Sequence, residues 1–150
     1  MNLSPNFTFE ELTRTDNRLL LQKNRDMANA SPAIKASLTR VAVELLEPIR
    51  ALFKVPVQVN SGYRCPELNA AVGGSATSQH VRGEAADIVI RGFETEALEV
   101  EAVRRILREL PNLEFGQMLV EFGCIHVSLG SKREVAHYDV PTKTKRPIVL

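Results

Sequence analysis

The amino-acid sequence predicts an α+β domain in which a mostly antiparallel β-sheet is flanked by helices. A long amphipathic helical pattern precedes most of the strand patterns, the strand patterns lie close together, and one further helical pattern interrupts them. The chain has 150 residues, of which 44% are hydrophobic and 25% are charged. This size and composition are typical of one folded domain. We expect a single domain over residues 1–150, with a core at 6–130 and a C-terminal tail at 131–150.

The first predicted helix is short. Residues 8–11 read T-x-x-E, which is a capping box, because the threonine side chain and the glutamate side chain can each bond the other residue's backbone N–H. This motif predicts a helix through Leu12. Residues 13–30 are polar and show no regular period, so we expect a loop with short turns there.

The second predicted helix is the longest one. Ser31 as N-cap and Pro32 at the first helical position strongly indicate the N-terminus of a helix. Apolar residues then recur at steps of three and four over about 20 residues, namely Ile34, Leu38, Val41, Leu45, Ile49 and Leu52. Pro48 lies inside this stripe and has no N–H to donate, so we expect a kink or an early end near residues 46–47.

The remaining elements are predicted from alternation, helical period and turn residues. In order, they are a strand at 55–59, a loop at 61–83 with a turn or short helix near 66–71, a strand at 85–90, a helix at 95–110, two strands at 117–121 and 124–129, and one edge strand near 147–150.

Charge and hydropathy restrict the partners. The net charge of +1 gives no field of one sign, so we expect no nucleic-acid partner. The one basic cluster, at Lys143, Lys145 and Arg146, is compatible with a solvated tail or with weak adhesion to an anionic surface such as a cell wall. No apolar run approaches the ~20 residues that span a bilayer, and we expect no integral membrane segment and a monomer.

Two further features bear on the compartment. Residues 1–10 lack a basic stretch followed by an apolar one, so we expect no secretory signal peptide and synthesis in the cytoplasm. Cys65 and Cys124 do not make a disulfide framework. We expect both to be reduced and structural, although a single disulfide between them is compatible with the sequence.

The three histidines of the chain include two in a suggestive pattern. His80 lies seven residues before Asp87, and His126 follows in C-I-H-V-S. Two histidines and one aspartate, with a water, form a typical open catalytic zinc site. A single histidine on a strand is more often structural, and we assign that role to His137. The spacing alone leaves a structural role open for His80 and His126 as well.

A hairpin argument identifies a candidate general base. If Phe122 and Gly123 form a two-residue loop, Leu119 lies opposite His126. The polar side chains then share one face of the hairpin and the apolar ones share the other: Gln117, Glu121, His126 and Ser128 against Met118, Val120, Ile125 and Val127. Glu121 is diagonal to His126, at about 7–8 Å between backbones. That spacing allows its carboxylate to reach a water near His126.

Four more residues are candidates for substrate contacts. Arg64 follows directly on a predicted strand, and its guanidinium can hold a substrate carboxylate through two parallel hydrogen bonds. Ser78 and Gln79 flank His80, where they can bind a peptide or orient the ligands. Gln117 lies on the face of the hairpin that carries His126.

The motifs also resemble a known family. The run S-G-Y-R-C-P at 61–66, followed by L-N at 68–69, A-V-G-G at 71–74, S-Q-H at 78–80 and then Gly83, Ala85 and Asp87, closely resembles the zinc D-alanyl-D-alanine carboxypeptidase family. That family includes phage endolysins and peptidoglycan L,D- and D,D-peptidases, and it shares its fold with the hedgehog signalling domain. E-F-G at 121–123 and I-H-V-S at 125–128 look like the family's last motif. Residues 7–12 and 46–48 resemble the branch often found in phages.

The resemblance implies one Zn²⁺ ion held by His80, Asp87 and His126, with Arg64 holding the substrate carboxylate. It also implies a hedgehog-like fold. This chain departs from the pattern in two ways. Cys124 and Ile125 stand where relatives often have an aromatic residue, and Gly123 stands where many relatives carry the catalytic acid. Glu121 is the available replacement.

The sequence therefore predicts a zinc-dependent metallopeptidase that hydrolyses amide bonds in peptidoglycan stem peptides or cross-bridges, as a carboxypeptidase or an endopeptidase. Its expected place of action is the cell wall, as a phage lysis enzyme or a virion-associated protein. The alternative is a non-catalytic, zinc-containing module that binds the wall or belongs to a virion or tail assembly.

Overall fold

The computed structural model describes residues 1–150 and confirms the predicted α+β class. The helices are α1 (Phe9–Leu12), α2 (Leu21–Asn29), α3 (Pro32–Arg40), α4 (Glu47–Phe53), α5 (Pro66–Ala71) and α6 (Glu96–Glu109), with a π-helical segment at Val41–Leu46 and a 3₁₀ turn at Gln79–Arg82. The strands are β1 (Asn2–Ser4), β2 (Phe7–Thr8), β3 (Val57–Ser61), β4 (Ala85–Ile90), β5 (Gln117–Glu121), β6 (Cys124–Ser128), β7 (Glu134–Asp139) and β8 (Thr144–Pro147).

Six strands form the main sheet, in the order β3–β4–β6–β5–β7–β8. All neighbours are antiparallel except β5 and β7, which run parallel. Strands β1 and β2 form a small separate sheet. The order brings β4 and β6 together although they are far apart in the sequence, and this pairing positions the site described below.

One face of the sheet forms the core and the other forms a cleft. The core face carries buried apolar side chains of β5 and β6, among them Met118, Val120, Ile125 and Val127. Helix α6 packs on β5 and on α4, and the π-helical segment contacts β6. None of the helices combines the length and the apolarity needed to traverse a lipid bilayer.

Several local predictions are confirmed. The Thr8 hydroxyl accepts a hydrogen bond from the Glu11 N–H, and the Glu11 carboxylate accepts one from the Thr8 N–H, which completes the capping box. Helix α6 begins after its N-cap, Thr95. The two-residue loop at 122–123 gives the predicted register, with Leu119 opposite His126.

The predicted break near Pro48 takes a different form. The helix does not end at residues 46–47 but continues through the π-helical segment into α4. In that segment the Glu47 N–H bonds the Ala42 carbonyl, five residues back. Because the proline ring clashes with the preceding turn and cannot donate, a locally wider turn accommodates it without ending the helix.

The prediction of a loop over residues 13–30 holds for residues 13–20 and was wrong for the remainder, because Leu21–Asn29 forms α2. Few apolar residues mark this helix, and hydrogen bonds of the fully buried Asn24 fasten it instead. Its amide donates to the Thr13 and Tyr63 carbonyls and accepts from the Cys65 N–H. Apolar periodicity cannot reveal a helix that is held in this way.

The polar tail predicted for 131–150 was also wrong. Residues 134–147 form the hairpin β7–β8, which extends the main sheet. The edge strand predicted near 147–150 lies at Thr144–Pro147 instead, and residues 148–150 follow it without regular structure. The parallel pairing of β7 with β5 joins distant parts of the chain. Local alternation carries no information about such a pairing.

Candidate metal centre

The sheet register brings the predicted ligands together. Asp87 on β4 lies directly opposite His126 on β6. His80 comes from the 3₁₀ turn, which ends at Gly83 in the left-handed conformation, with a φ of 70°. The ligand-type atoms of the three side chains all lie within 4.8 Å of one another, and all three residues are buried. Three residues from separate elements therefore converge on one point.

The spacing fits a tetrahedral metal. Asp87 Oδ1 lies 3.2 Å from His80 Nε2 and 3.0 Å from His126 Nδ1. Around a zinc ion with bonds of 2.0–2.2 Å, neighbouring ligand atoms stand about 3.3 Å apart. A single ion can thus contact all three atoms after shifts of a few tenths of an ångström.

The tautomer of His80 argues for a cation at this point. His80 Nδ1 lies 2.7 Å from the Gly62 carbonyl oxygen, which can only accept, so Nδ1 carries the proton. In the neutral imidazole, Nε2 then presents a lone pair to the Asp87 carboxylate. Two lone pairs at this distance repel each other. The contact is favourable only if the ring is doubly protonated or a cation lies between the two atoms.

The electrostatics of Asp87 follow from its neighbours. Burial alone raises the pKa of the Asp87 carboxyl, but the charges and hydrogen bonds of His80 and His126 outweigh burial and hold that pKa well below its usual range. Asp87 is therefore a carboxylate at any pH near neutrality, as a metal ligand must be.

Arg64 is fixed against the same carboxylate. Its Nη2 donates to Asp87 Oδ2 at 3.1 Å, Nε donates to the Ser61 hydroxyl at 3.0 Å, and Nη1 donates to Asn69 Oδ1 at 3.4 Å. The side chain is 15% exposed. A guanidinium carries more N–H donors than these three contacts use, so Arg64 retains donors for a further anion in the cleft.

Glu121 lies beside the centre, as the hairpin argument predicted. Its carboxylate oxygen is within 4.8 Å of the ligand-type atoms of Asp87 and Cys124. Burial, followed by the charge of Asp87, raises the pKa of Glu121 to about 7. Cys124 Sγ donates to Glu121 Oε1 at 3.7 Å, and burial raises the pKa of this thiol strongly. Cys124 is thus a neutral thiol, and both it and Cys65 are unpaired, as predicted.

One cleft of about 730 Å³ collects all eight predicted site residues: Arg64, Ser78, Gln79, His80, Asp87, Gln117, Glu121 and His126. The Ser78 hydroxyl accepts from the His80 N–H, and Gln79 Nε2 donates to the Leu129 carbonyl. Gln117 Nε2 donates to Glu134 Oε1 at 2.7 Å. These three side chains therefore line the cleft and also hold neighbouring parts of its wall together through hydrogen bonds. His137 lies outside this cleft, and its Nδ1 is 3.9 Å from Glu96 Oε1.

Two asparagines support the site but were missed by sequence reasoning. Asn24 bonds the backbone on both sides of Arg64, at Tyr63 and Cys65. Asn69 Nδ2 donates to the Ser75 carbonyl, and its Oδ1 accepts from Arg64. Asn69 was visible as part of the L-N motif, whereas no pattern in residues 13–30 distinguishes Asn24.

The comparison with known proteins agrees with this geometry. No curated protein sequence matches the chain at a significant level. The model of the peptidase M15 family matches residues 5–128, which include all eight predicted site residues. Because this match spans most of the chain, the chain belongs to the peptidase M15 family and is a metallopeptidase that acts on a peptide substrate.

Proposed function

We propose that this protein is a zinc-dependent peptidase that hydrolyses amide bonds in the stem peptides or cross-bridges of peptidoglycan. The observation that carries the proposal is the contact between His80 Nε2 and Asp87 Oδ1, where a carbonyl fixes the histidine tautomer and leaves two lone pairs facing each other. His126 contributes the third ligand atom. A ligand set of two histidines and one carboxylate suits zinc and leaves one coordination position free.

The side chains around this point have distinct roles. A bound zinc ion supplies Lewis acidity, which makes water more acidic and polarises a carbonyl group. Glu121 accepts the proton of the attacking water and passes it to the leaving amine. Burial and the charge of Asp87 raise the pKa of Glu121, whereas a nearby cation lowers it and favours the carboxylate form that accepts the proton. Arg64 holds a substrate carboxylate with the donors that its three internal contacts leave free.

The substrate follows from the family resemblance together with this site. The S-G-Y-R-C-P and S-Q-H motifs resemble those of enzymes that cleave wall peptides, and Arg64 in the first motif lines the cleft. We propose the bacterial cell wall as the place of action, with a monomeric enzyme that serves in phage lysis.

The metal is tested on the purified chain. Elemental analysis is expected to give one zinc per chain, and 1,10-phenanthroline is expected to abolish the release of peptide fragments from purified peptidoglycan, measured by mass spectrometry. The non-chelating isomer 1,7-phenanthroline is the control. Hydrolysis that survives complete removal of the metal would exclude the proposed mechanism.

The role of Glu121 is tested by Glu121→Gln. We expect kcat to fall by about 10²–10⁴-fold, because the base is lost, while one zinc per chain is retained. Glu114→Gln is the matched control, since Glu114 is exposed and does not line the cleft. Full activity of Glu121→Gln would remove this residue from the role, and a wild-type chain that binds zinc and wall but releases no fragment would indicate a binding module instead.

A further inference from the structure

The cleft continues beyond the metal centre into a part of the chain that the family match does not include. The match ends at residue 128, whereas the cleft is also lined by Lys132, Tyr138, Lys143 and Lys145. These residues belong to the hairpin β7–β8 and to the segment that leads into it. The end of the cleft that this hairpin builds therefore lies outside the residues that the family model matches.

The register of the sheet explains how the hairpin reaches the cleft. Leu119, which lines the cleft, lies opposite Ala136 on β7. Tyr138 is two residues further along β7 and shares that face, because side chains alternate along a strand. Tyr138 in turn lies opposite Lys145 on β8. The neighbouring Arg146 has the other orientation and donates to Glu96 on α6.

The charges at this end of the cleft are unbalanced. Lys145 Nζ lies 3.0 Å from both carboxylate oxygens of Glu134, and Lys132 Nζ lies 3.8 Å from one of them. Lys143 has no ion-pair partner, and it stands in the left-handed conformation at the hairpin turn. Two of the three lysines thus contact the Glu134 carboxylate and Lys143 contacts no acid, so three positive charges face one negative charge here. The acids that line the cleft, Asp87 and Glu121, lie at the metal centre instead.

We propose that Lys143 and Lys132 form a subsite for a carboxylate group that the peptide substrate carries away from the scissile bond. The inference rests on the proposed function, because the cleft that would hold the peptide joins the metal centre and the hairpin without interruption. The subsite selects acidic peptides over their neutral analogues. It is separate from Arg64, which lies on the β3–β4 side of the metal centre.

A matched pair of substrates tests the subsite. The probes are the synthetic stem peptide L-Ala-γ-D-Glu-L-Lys-D-Ala-D-Ala, whose D-Glu carries a free α-carboxylate, and the same peptide with that group amidated. The measured quantity is the ratio of kcat/KM for the acid to kcat/KM for the amide. Each exposed ion pair contributes up to about fivefold, so we expect a wild-type ratio on the order of ten. The ratio is expected to approach one in the double variant Lys132→Gln/Lys143→Gln, through KM.

The control is Lys54→Gln. Lys54 is exposed, lies outside the cleft and has a φ of 57°, close to the 55° of Lys143, so the substitution changes the same charge on the same backbone conformation. Its ratio is expected to equal that of the wild type. A double variant that keeps the wild-type ratio would overturn the subsite.

A binding measurement separates this inference from the proposed function. The Glu121→Gln protein, with and without the two lysine substitutions, is titrated with both peptides by calorimetry. If the affinity preference for the acid disappears when the two lysines are replaced, the subsite is supported. This holds even if the wild type releases no fragment from purified peptidoglycan, a result that would refute the proposed function alone. Equal affinities for acid and amide would overturn the subsite even if both peptides are cleaved.

Discussion

Replacing Gly62 by alanine tests whether a backbone carbonyl prepares the metal centre. The Gly62 carbonyl accepts the hydrogen bond from His80 Nδ1–H, and the next residue, Tyr63, donates its N–H to the Leu12 carbonyl at 2.8 Å. A Cβ atom added at Gly62 would lie 2.3 Å from the Leu12 oxygen. Both partners are backbone, so neither can rotate away, and the chain must move by about 1 Å to restore an ordinary contact.

The expected effects have two parts. Overpacking of this kind destabilises a fold by about 1–3 kcal/mol, and weakening of the hydrogen bond from Tyr63 to Leu12 adds about 1 kcal/mol. The free energy of unfolding should therefore fall by about 2–4 kcal/mol. Loss of the partner that orients a metal-binding histidine typically weakens metal affinity by about 10–100-fold, and we expect that loss for zinc.

Urea denaturation in the presence of EDTA measures the first effect, and competition with a chromophoric chelator measures the second. Gly92→Ala is the control, because a Cβ atom added at Gly92 meets open space and only the positive φ of 89° opposes the substitution, whereas Gly62 is not in the left-handed region. It should lose about 1–2 kcal/mol through backbone strain and keep its zinc affinity. The reasoning is refuted if Gly62→Ala binds zinc as tightly as Gly92→Ala, or if its stability is unchanged.

Two further substitutions address the supports of the site. Asn24→Ala leaves three buried backbone groups without their partner, so urea denaturation should show a loss of at least about 3 kcal/mol; a loss below 1 kcal/mol would contradict the bracing role of Asn24. Burial, followed by the charges of Glu96 and Glu121, raises the pKa of Glu99 from 4.5 to about 7. The folded state therefore holds this proton to a higher pH than the unfolded chain does, and the free energy of unfolding falls as the pH rises from 4.5 to about 7. Glu99→Gln should therefore stabilise the fold by about 3 kcal/mol at pH 8 and have little effect at pH 4, and an equal gain in unfolding free energy at both pH values would exclude this explanation.

The hairpin of β5 and β6 shows how much of the site the sequence determines. Its register depends on a two-residue loop and on strict alternation, which are local properties, so the position of Glu121 relative to His126 could be worked out in advance. That His126 on this hairpin joins His80 and Asp87 in one ligand set was implied by the family resemblance and not by any local pattern.

The remainder depends on contacts that no local pattern encodes. Helix α2 is anchored through one buried asparagine, Asn24, which bonds three distant backbone groups. The parallel pairing of β7 with β5 likewise depends on the packing of the whole sheet. The basic cluster was visible in the sequence, but the separation of Lys145 from Arg146 onto opposite faces required knowledge that these residues form a strand.

The position of β8 has a consequence for encounters between copies of the protein. As the outermost strand, it presents backbone groups that lack a neighbour, and such an edge is where sheets of two molecules can fuse into aggregates. Here the exposed strand reads Thr-Lys-Arg-Pro. Its adjacent cations repel an identical strand, and Pro147 offers no N–H for a ladder. The residues of this edge strand therefore discourage edge-to-edge pairing of sheets from two molecules at the high local concentrations that accompany overexpression.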